Sequence, residues 1–185
     1  MRTEKCILAG FGGQGIMLMG QLLAQAALDD GLEVSWLPSY GPEMRGGTAN
    51  CSVIISPEPI PSPVIAHDAT SLIVMNLPSM EKFVRDLVPG GYVLVNSSLI
   101  DAKVTRSHIE AIYVPCNDIA LELGNLKMTN MVMVGAFVQV TRCVRPESVL
   151  GALERKLGAG KAHLMEGNRL AFARGAECAL AVTGS

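Results

Sequence analysis

The chain has 185 residues, a formal net charge of −2, 49% hydrophobic residues, 17% charged residues and only 4% aromatic ones. That length makes one domain, which buries roughly 70% of its unfolded surface without a disulfide or metal staple. The composition excludes a disordered chain, and the lack of a basic block with interleaved aromatics excludes nucleic acid as a partner.

The order of elements begins with a short apolar run at 5–9, the glycine-rich turn Gly10-Phe-Gly-Gly-Gln-Gly15, and a helix over 16–29 that Gly31 stops. A strand over 32–37 ends at Pro38, residues 39–47 form a loop, and 48–55 is a β-branched strand. Alternating prolines at 57, 59, 61 and 63 make an extended surface connector. A strand at 71–75 follows, then a helix over 79–87 closed by Pro89-Gly90-Gly91, strands at 92–96 and 111–115, and a short helix at 118–123. The stretch 129–142 is apolar on every side and reads as a fully buried helix with Thr129 as its N-cap. Two further helices cover 146–157, with Pro146 at its start, and 164–182. Strands alternating with helices give an α/β fold: a three-layer α/β/α sandwich around a largely parallel or mixed sheet, one domain over residues 1–185.

Five cysteines, Cys6, Cys51, Cys116, Cys143 and Cys178, lie far apart and none is in a CxxC pair. Scattered thiols without a signal peptide read as a reduced, cytoplasmic protein with no iron–sulfur motif of its own. No apolar run is long enough to cross a membrane. His67, His108 and His163 lack metal-ligand spacing, so no metal site is expected. No nucleophile–base pair is assignable, and Asn76, Asn96 and Asn130 stand where caps and turns form.

Gly10, Gly12 and Gly15 fit G-x-G-x-x-G between strand and helix. Such a turn lets a phosphate approach the free N–H groups of a helix start; the same glycines also serve tight packing alone. A dinucleotide fold would place an acid at the end of the second strand, where this chain has Trp36-Leu37-Pro38. The loop Tyr40-Gly-Pro-Glu-Met-Arg-Gly-Gly47 shares the turn's sheet edge if the second strand runs parallel to the first. Arg45 can then reach an anion with its fork, or pair with Glu43, while Gly46 and Gly47 let the backbone lie flat against a neighbour.

Together, Gly10-Phe-Gly-Gly-Gln-Gly-Ile16 and Ser39-Tyr-Gly-Pro-Glu-Met-Arg-Gly-Gly-Thr48 resemble the γ subunits of 2-oxoacid:ferredoxin oxidoreductases. The chain is similar to the 2-oxoglutarate and branched-chain oxoacid (ketoisovalerate) members and to the matching domain of pyruvate:ferredoxin oxidoreductase. The resemblance continues through Asn76, the 92–97 strand and Asn130-Met131. It implies a complex that converts a 2-oxoacid and coenzyme A to an acyl-CoA and carbon dioxide, passing electrons to ferredoxin. Thiamine diphosphate and the iron–sulfur clusters would belong to the α, β and ferredoxin-like δ partners. This chain, inactive alone, would complete the coenzyme A side of the active site through Gly10, Gly12, Gly13, Gln14, Gly15, Glu43, Arg45, Gly46 and Gly47. A free-standing Rossmann-like nucleotide-binding protein and a pure scaffold subunit are the alternatives.

Overall fold

The computed structural model describes residues 2–39 and 48–183. In chain order these form β1 (Glu4–Phe11), α1 (Ile16–Asp29), β2 (Glu33–Ser39), β3 (Thr48–Ser56), β4 (Ala69–Val74), α2 (Leu77–Phe83), β5 (Leu87–Asn96), β6 (Glu110–Val114), α3 (Cys116–Glu122), α4 (Thr129–Thr141), α5 (Pro146–Leu157) and α6 (Met165–Thr183). The six strands make one sheet in the order β2-β3-β1-β4-β5-β6. β1, β4, β5 and β6 run parallel, and β3 is antiparallel to both of its neighbours, β1 and β2. β2 therefore points the same way as β1, and their C-terminal ends share one edge.

Alternation along the strands builds a layer on each face. Leu8, Val53, Ile73, Leu94 and Ile112 face α1, α4 and α6, meeting Leu23, Val134, Phe137 and Phe172. Ile7, Leu72, Val74, Val93 and Val95 face the other way, onto Met80 of α2 and Ile100. That second layer is slim. One short helix covers it together with irregular chain carrying Ile65, Val104 and Ile109.

α4 has no polar face. Every residue from Asn130 to Val138 is buried, as the sequence predicts for this segment. It lies unusually close to α6, and two glycines permit this. A Cβ on Gly135 would stand 2.0 Å from the Phe172 carbonyl oxygen, and one on Gly175 would stand 1.9 Å from that of Val132. Each helix thus lays a glycine against the other's backbone, and nothing larger fits.

Local departures from the sequence reading have local causes. β2 runs through Pro38 to Ser39, because a sheet-edge strand tolerates a residue without an N–H. α2 starts at Leu77, capped by Asn76, whose side-chain oxygen accepts from Ser79 N–H at 2.9 Å. It stops at Phe83 before a 3₁₀ turn over Val84–Asp86. Pro89, Gly90 and Gly91 do not close a helix; they lie inside β5 where its register against β4 shifts. Thr129 is the first residue of α4 rather than its cap: a 3₁₀ turn, Leu126–Met128, leads straight in, and the Thr129 hydroxyl donates to Leu126 O at 2.7 Å.

Asp30 ties α1 to α5 at the opposite edge of the sheet. It accepts from Arg145 N–H at 2.7 Å, Arg145 Nε at 2.8 Å and the Ser148 hydroxyl. Burial alone would raise its pKa, but the Ser148 and Arg145 donors outweigh that and hold it below the ordinary aspartate value.

Gly135→Ala is expected to destabilise the fold by about 1–3 kcal/mol through overpacking. Helix propensity alone would predict a gain of about 1 kcal/mol. The sign of the shift in the urea midpoint decides between them. Asp30→Asn is expected to lower stability at neutral pH. A carboxyl with a depressed folded pKa stabilises above its unfolded pKa and loses that contribution as pH falls through the folded one. Melting temperatures of wild type and variant should therefore converge at acid pH; a constant gap would show that the charge is not what holds the junction.

Candidate functional site

Four helices begin at or behind the strand C-terminal edge, and two of them are closed there by their own neighbourhood. α2 is capped by Asn76. α3 is capped by Ser98, whose hydroxyl accepts from the N–H groups of Asn117 at 3.1 Å and Asp118 at 3.2 Å. α1 differs. Its N-cap is Gly15, in the left-handed region at φ 78, which has no side chain to offer. The first N–H groups of α1 have no intrahelical partner and are available at the positive end of the helix.

The turn itself is braced by Gln14. Its Oε1 accepts from Phe11 N–H at 2.6 Å and its Nε2 donates to Met75 O at 3.1 Å. A Cβ on Gly10 would collide with that same Gln14 oxygen at 2.6 Å, with Ile16 at 2.7 Å and with Met75 at 2.9 Å. Gly10 is thus required by packing, and each polar end of Gln14 makes one hydrogen bond that braces the turn. A Cβ on Gly12 or Gly13 would meet no described atom within 4 Å, so the described residues leave open space above the turn. At Gly15 it would meet Asn130 Nδ2 at 2.6 Å.

That contact defines a cleft of about 490 Å³ between the turn and the start of α4, lined by Gly13, Gln14, Gly15, Leu18, Asn117, Leu126, Lys127, Thr129 and Asn130. Among the described residues no carboxylate lines it, and it is rich in donors. Asn130 is 7% exposed; its Oδ1 accepts from Met131 N–H at 2.9 Å, so its Nδ2 is the end that faces Gly15. Asn117 Oδ1 accepts from Asn96 Nδ2 at 2.8 Å. Lys127 is exposed and pairs with no carboxylate among the described residues. A larger recess of about 570 Å³ lies at the opposite edge beside Asp30, Arg142 and Arg145, but there Asp30 is already consumed by Arg145 and Ser148.

Of the residues the sequence points to, Gly13, Gln14 and Gly15 line the cleft, whereas Gly10 and Gly12 are not among its walls. Glu43, Arg45, Gly46 and Gly47 lie outside the described residues. Of the described residues on either side, Ser39 ends β2 and Thr48 pairs with Phe11, both on the edge of the glycine turn. Lys127 and Asn117 carry no sequence signal, because an exposed lysine and an asparagine at a helix start are common. Asn130 reads as a cap former; only its contact with Gly15 reveals its place.

Two features count against a dinucleotide fold. β3 separates β2 from β1, so the second strand does not flank the turn. The end of β2 carries Trp36, Leu37, Pro38 and Ser39 and no acid. Among the described residues there is no His, Cys, Asp or Glu group able to hold a metal. All five thiols are free, with burial pushing Cys51 up to about 11 and Cys143 up to about 12. No helix of the described chain is long and apolar enough to cross a membrane.

Residues 5–178 match the pyruvate ferredoxin/flavodoxin oxidoreductase family. The chain belongs to that family. It is 39% identical over 176 residues to the 2-oxoglutarate synthase subunit KorC of Methanocaldococcus jannaschii, covering 93% of this chain and 91% of that one. It is 37% identical over 172 residues to the ketoisovalerate oxidoreductase subunit VorA of Methanothermobacter thermautotrophicus, covering 93% of this chain but only 35% of the relative. The family domain thus spans about a third of VorA's length. Its fold superposes on the γ subunit of a keto/oxoacid ferredoxin oxidoreductase from Geobacter sulfurreducens with a TM-score of 0.82 at 32% identity, covering 96% of this chain and 99% of that one.

Gly15→Ala should cost about 1–3 kcal/mol, from a left-handed backbone forced on a residue with a Cβ and from displacement of Asn130. Gly12→Ala should stay within about 0.5 kcal/mol, since no atom stands in its way. Denaturant unfolding of the two variants side by side checks the contrast; equal losses would mean that the turn, not the Asn130 contact, sets the requirement.

Proposed function

We propose that this chain is the γ-type subunit of a 2-oxoacid:ferredoxin oxidoreductase complex and forms the coenzyme A side of its active site. The complex would convert a 2-oxoacid and coenzyme A to an acyl-CoA and carbon dioxide, with two electrons passed to ferredoxin. The observation that carries the reading is the donor-rich, carboxylate-free cleft at the start of α1 in a chain of this family. Coenzyme A is a polyanion, and helix-start N–H groups with an adjacent lysine are what such a group needs.

The chemistry at the carbonyl carbon would fall to thiamine diphosphate and iron–sulfur clusters in α, β and ferredoxin-like δ partners. This chain's own residues would bind and orient the co-substrate. Gly15 and the open space over Gly12 and Gly13 admit the anion to the α1 amides, and Arg45, between Ser39 and Thr48 in the sequence, would add a second cation. Phe11, Leu77, Leu99 and Leu126 are large exposed apolar side chains that follow the ends of β1, β4 and β5 or border the cleft, which suits a face that docks onto partner subunits. A reduced, cytoplasmic setting fits five free thiols.

The test is reconstitution. The chain alone, given 2-oxoacid, coenzyme A, thiamine diphosphate and an electron acceptor, should form no acyl-CoA. Partner subunits with the chain should, and Arg45→Ala in that complex should raise the KM for coenzyme A about ten- to a hundredfold while the oxoacid KM moves much less. Acyl-CoA formation by the partners that is unchanged when this chain is left out would refute the reading.

A further inference from the structure

Asn130 and Lys127 are claimed neither by the glycine motif nor by the Arg45 loop, yet they stand on the α4 side of the same cleft. Asn130 is 7% exposed, and its two ends differ. Its Oδ1 is engaged by Met131 N–H, whereas its Nδ2 borders the cleft and donates to no described residue. The side chain cannot reverse itself to cure this, because its nitrogen would then face the Met131 N–H. Its donor is therefore fixed toward Gly15 and the uncapped start of α1.

We infer that Asn130 Nδ2, packed beside Gly15 at the α1 start, and Lys127 Nζ form the α4 side of a phosphate or pyrophosphate site that the α1 amides complete. This inference rests on the coenzyme A reading above and adds the ligand residues on the α4 side. Each group supplies a different part of such a site. The α1 start gives N–H donors and partial positive charge. Asn130 gives one directed donor at fixed position, and Lys127 gives a full charge on a flexible stem. Asn117 borders the same space, with its oxygen held by Asn96. Among the described residues no carboxylate stands on this wall. Gly15 is then required for two reasons: its left-handed backbone, and the absence of a Cβ between the Asn130 donor and the helix start.

The same chemistry occurs twice in coenzyme A, as the 5′-pyrophosphate and as the 3′-phosphate, and dephospho-coenzyme A separates them. The variant of choice is Asn130→Asp. It keeps the oxygen that accepts from Met131 N–H, favours rather than opposes the start of a helix, and replaces the donor by a negative oxygen. Lys127→Ala is a second variant at an exposed position.

In the assembled complex, Asn130→Asp should raise the KM for coenzyme A about ten- to a hundredfold, and Lys127→Ala about three- to tenfold. In both, kcat and the oxoacid KM should move less than twofold. If the group held is the pyrophosphate, dephospho-coenzyme A should suffer the same factor. If it is the 3′-phosphate, dephospho-coenzyme A should be insensitive to both substitutions. Either pattern supports the site. A coenzyme A KM unchanged in Asn130→Asp, in a complex that assembles and turns over, overturns it. Because Arg45→Ala and omission of the chain test the broader reading separately, a response to those with none to Asn130→Asp would remove this wall and leave that reading standing.

Discussion

The geometry of the cleft depends on the close approach of α4 and α6. α4 is buried on all sides, so its position is set by packing rather than by a polar face held to solvent. Gly135 and Gly175 let the backbone of each helix rest directly on the other's, and this fixes α4 along its axis as well as across it. The N-terminal end of α4 is where Asn130 meets Gly15. A displacement of about an ångström along α4 would either drive Asn130 into the turn or withdraw its donor from it, and a close-packed core resists such sliding. The site is thus held by backbone packing far from it.

The second determinant is the uneven satisfaction of helix starts. Asn76 and Ser98 spend their oxygens on α2 and α3, and those ends have little left to offer a ligand. Gln14, which could have served the α1 start, is turned instead to Phe11 and Met75 and locks the turn onto β4. A left-handed glycine at the N-cap is a weak choice for stability beside Ser, Thr, Asp or Asn. It makes sense where the donors are meant for something outside the helix. The buried Asn76 Nδ2 and Asn96 Oδ1, both without protein partners, lie at the ends of adjacent strands on this same edge, so the edge as a whole has been kept polar at some cost.

The sequence made most of the architecture legible because its signals are local and strong. Pro146 opens α5, Gly31 follows α1, and the segment 131–138, apolar throughout, reads as a core helix. Where the reading slipped, a long-range pairing overrode a local signal. Pro38 does not end β2, because β3 pairs with it on one side only. Gly90 and Gly91 look like a helix stop and instead take up a register shift between β4 and β5. The insertion of β3 between β2 and β1 could not be read from strand propensities at all; it is a matter of sheet order. At the site, glycines announce themselves by spacing, whereas Asn130 and Lys127 sit more than a hundred residues away in sequence and become neighbours of the turn only through the packing of α4.

A site built this way would let a chain serve an enzyme complex while holding no reacting group. Apart from the Lys127 ammonium, the described cleft holds no group suited to moving a proton: the asparagines and Gln14 are amides, the Thr129 hydroxyl donates to Leu126 O, and no described carboxylate, histidine or thiol lines it. What the cleft provides is fixed donors on one wall and Gly13 on the other, with no described atom close above Gly13 or its neighbour Gly12. A ligand gripped by its anionic end there must extend its remainder out past that open turn. It would emerge on the edge where Phe11, Leu77 and Leu99 lie exposed, the edge suited to a protein neighbour. Binding energy gained in this chain at the unreactive end of the co-substrate would then hold its reactive end within reach of another subunit, which lowers the concentration of co-substrate the complex needs without touching the chemical step.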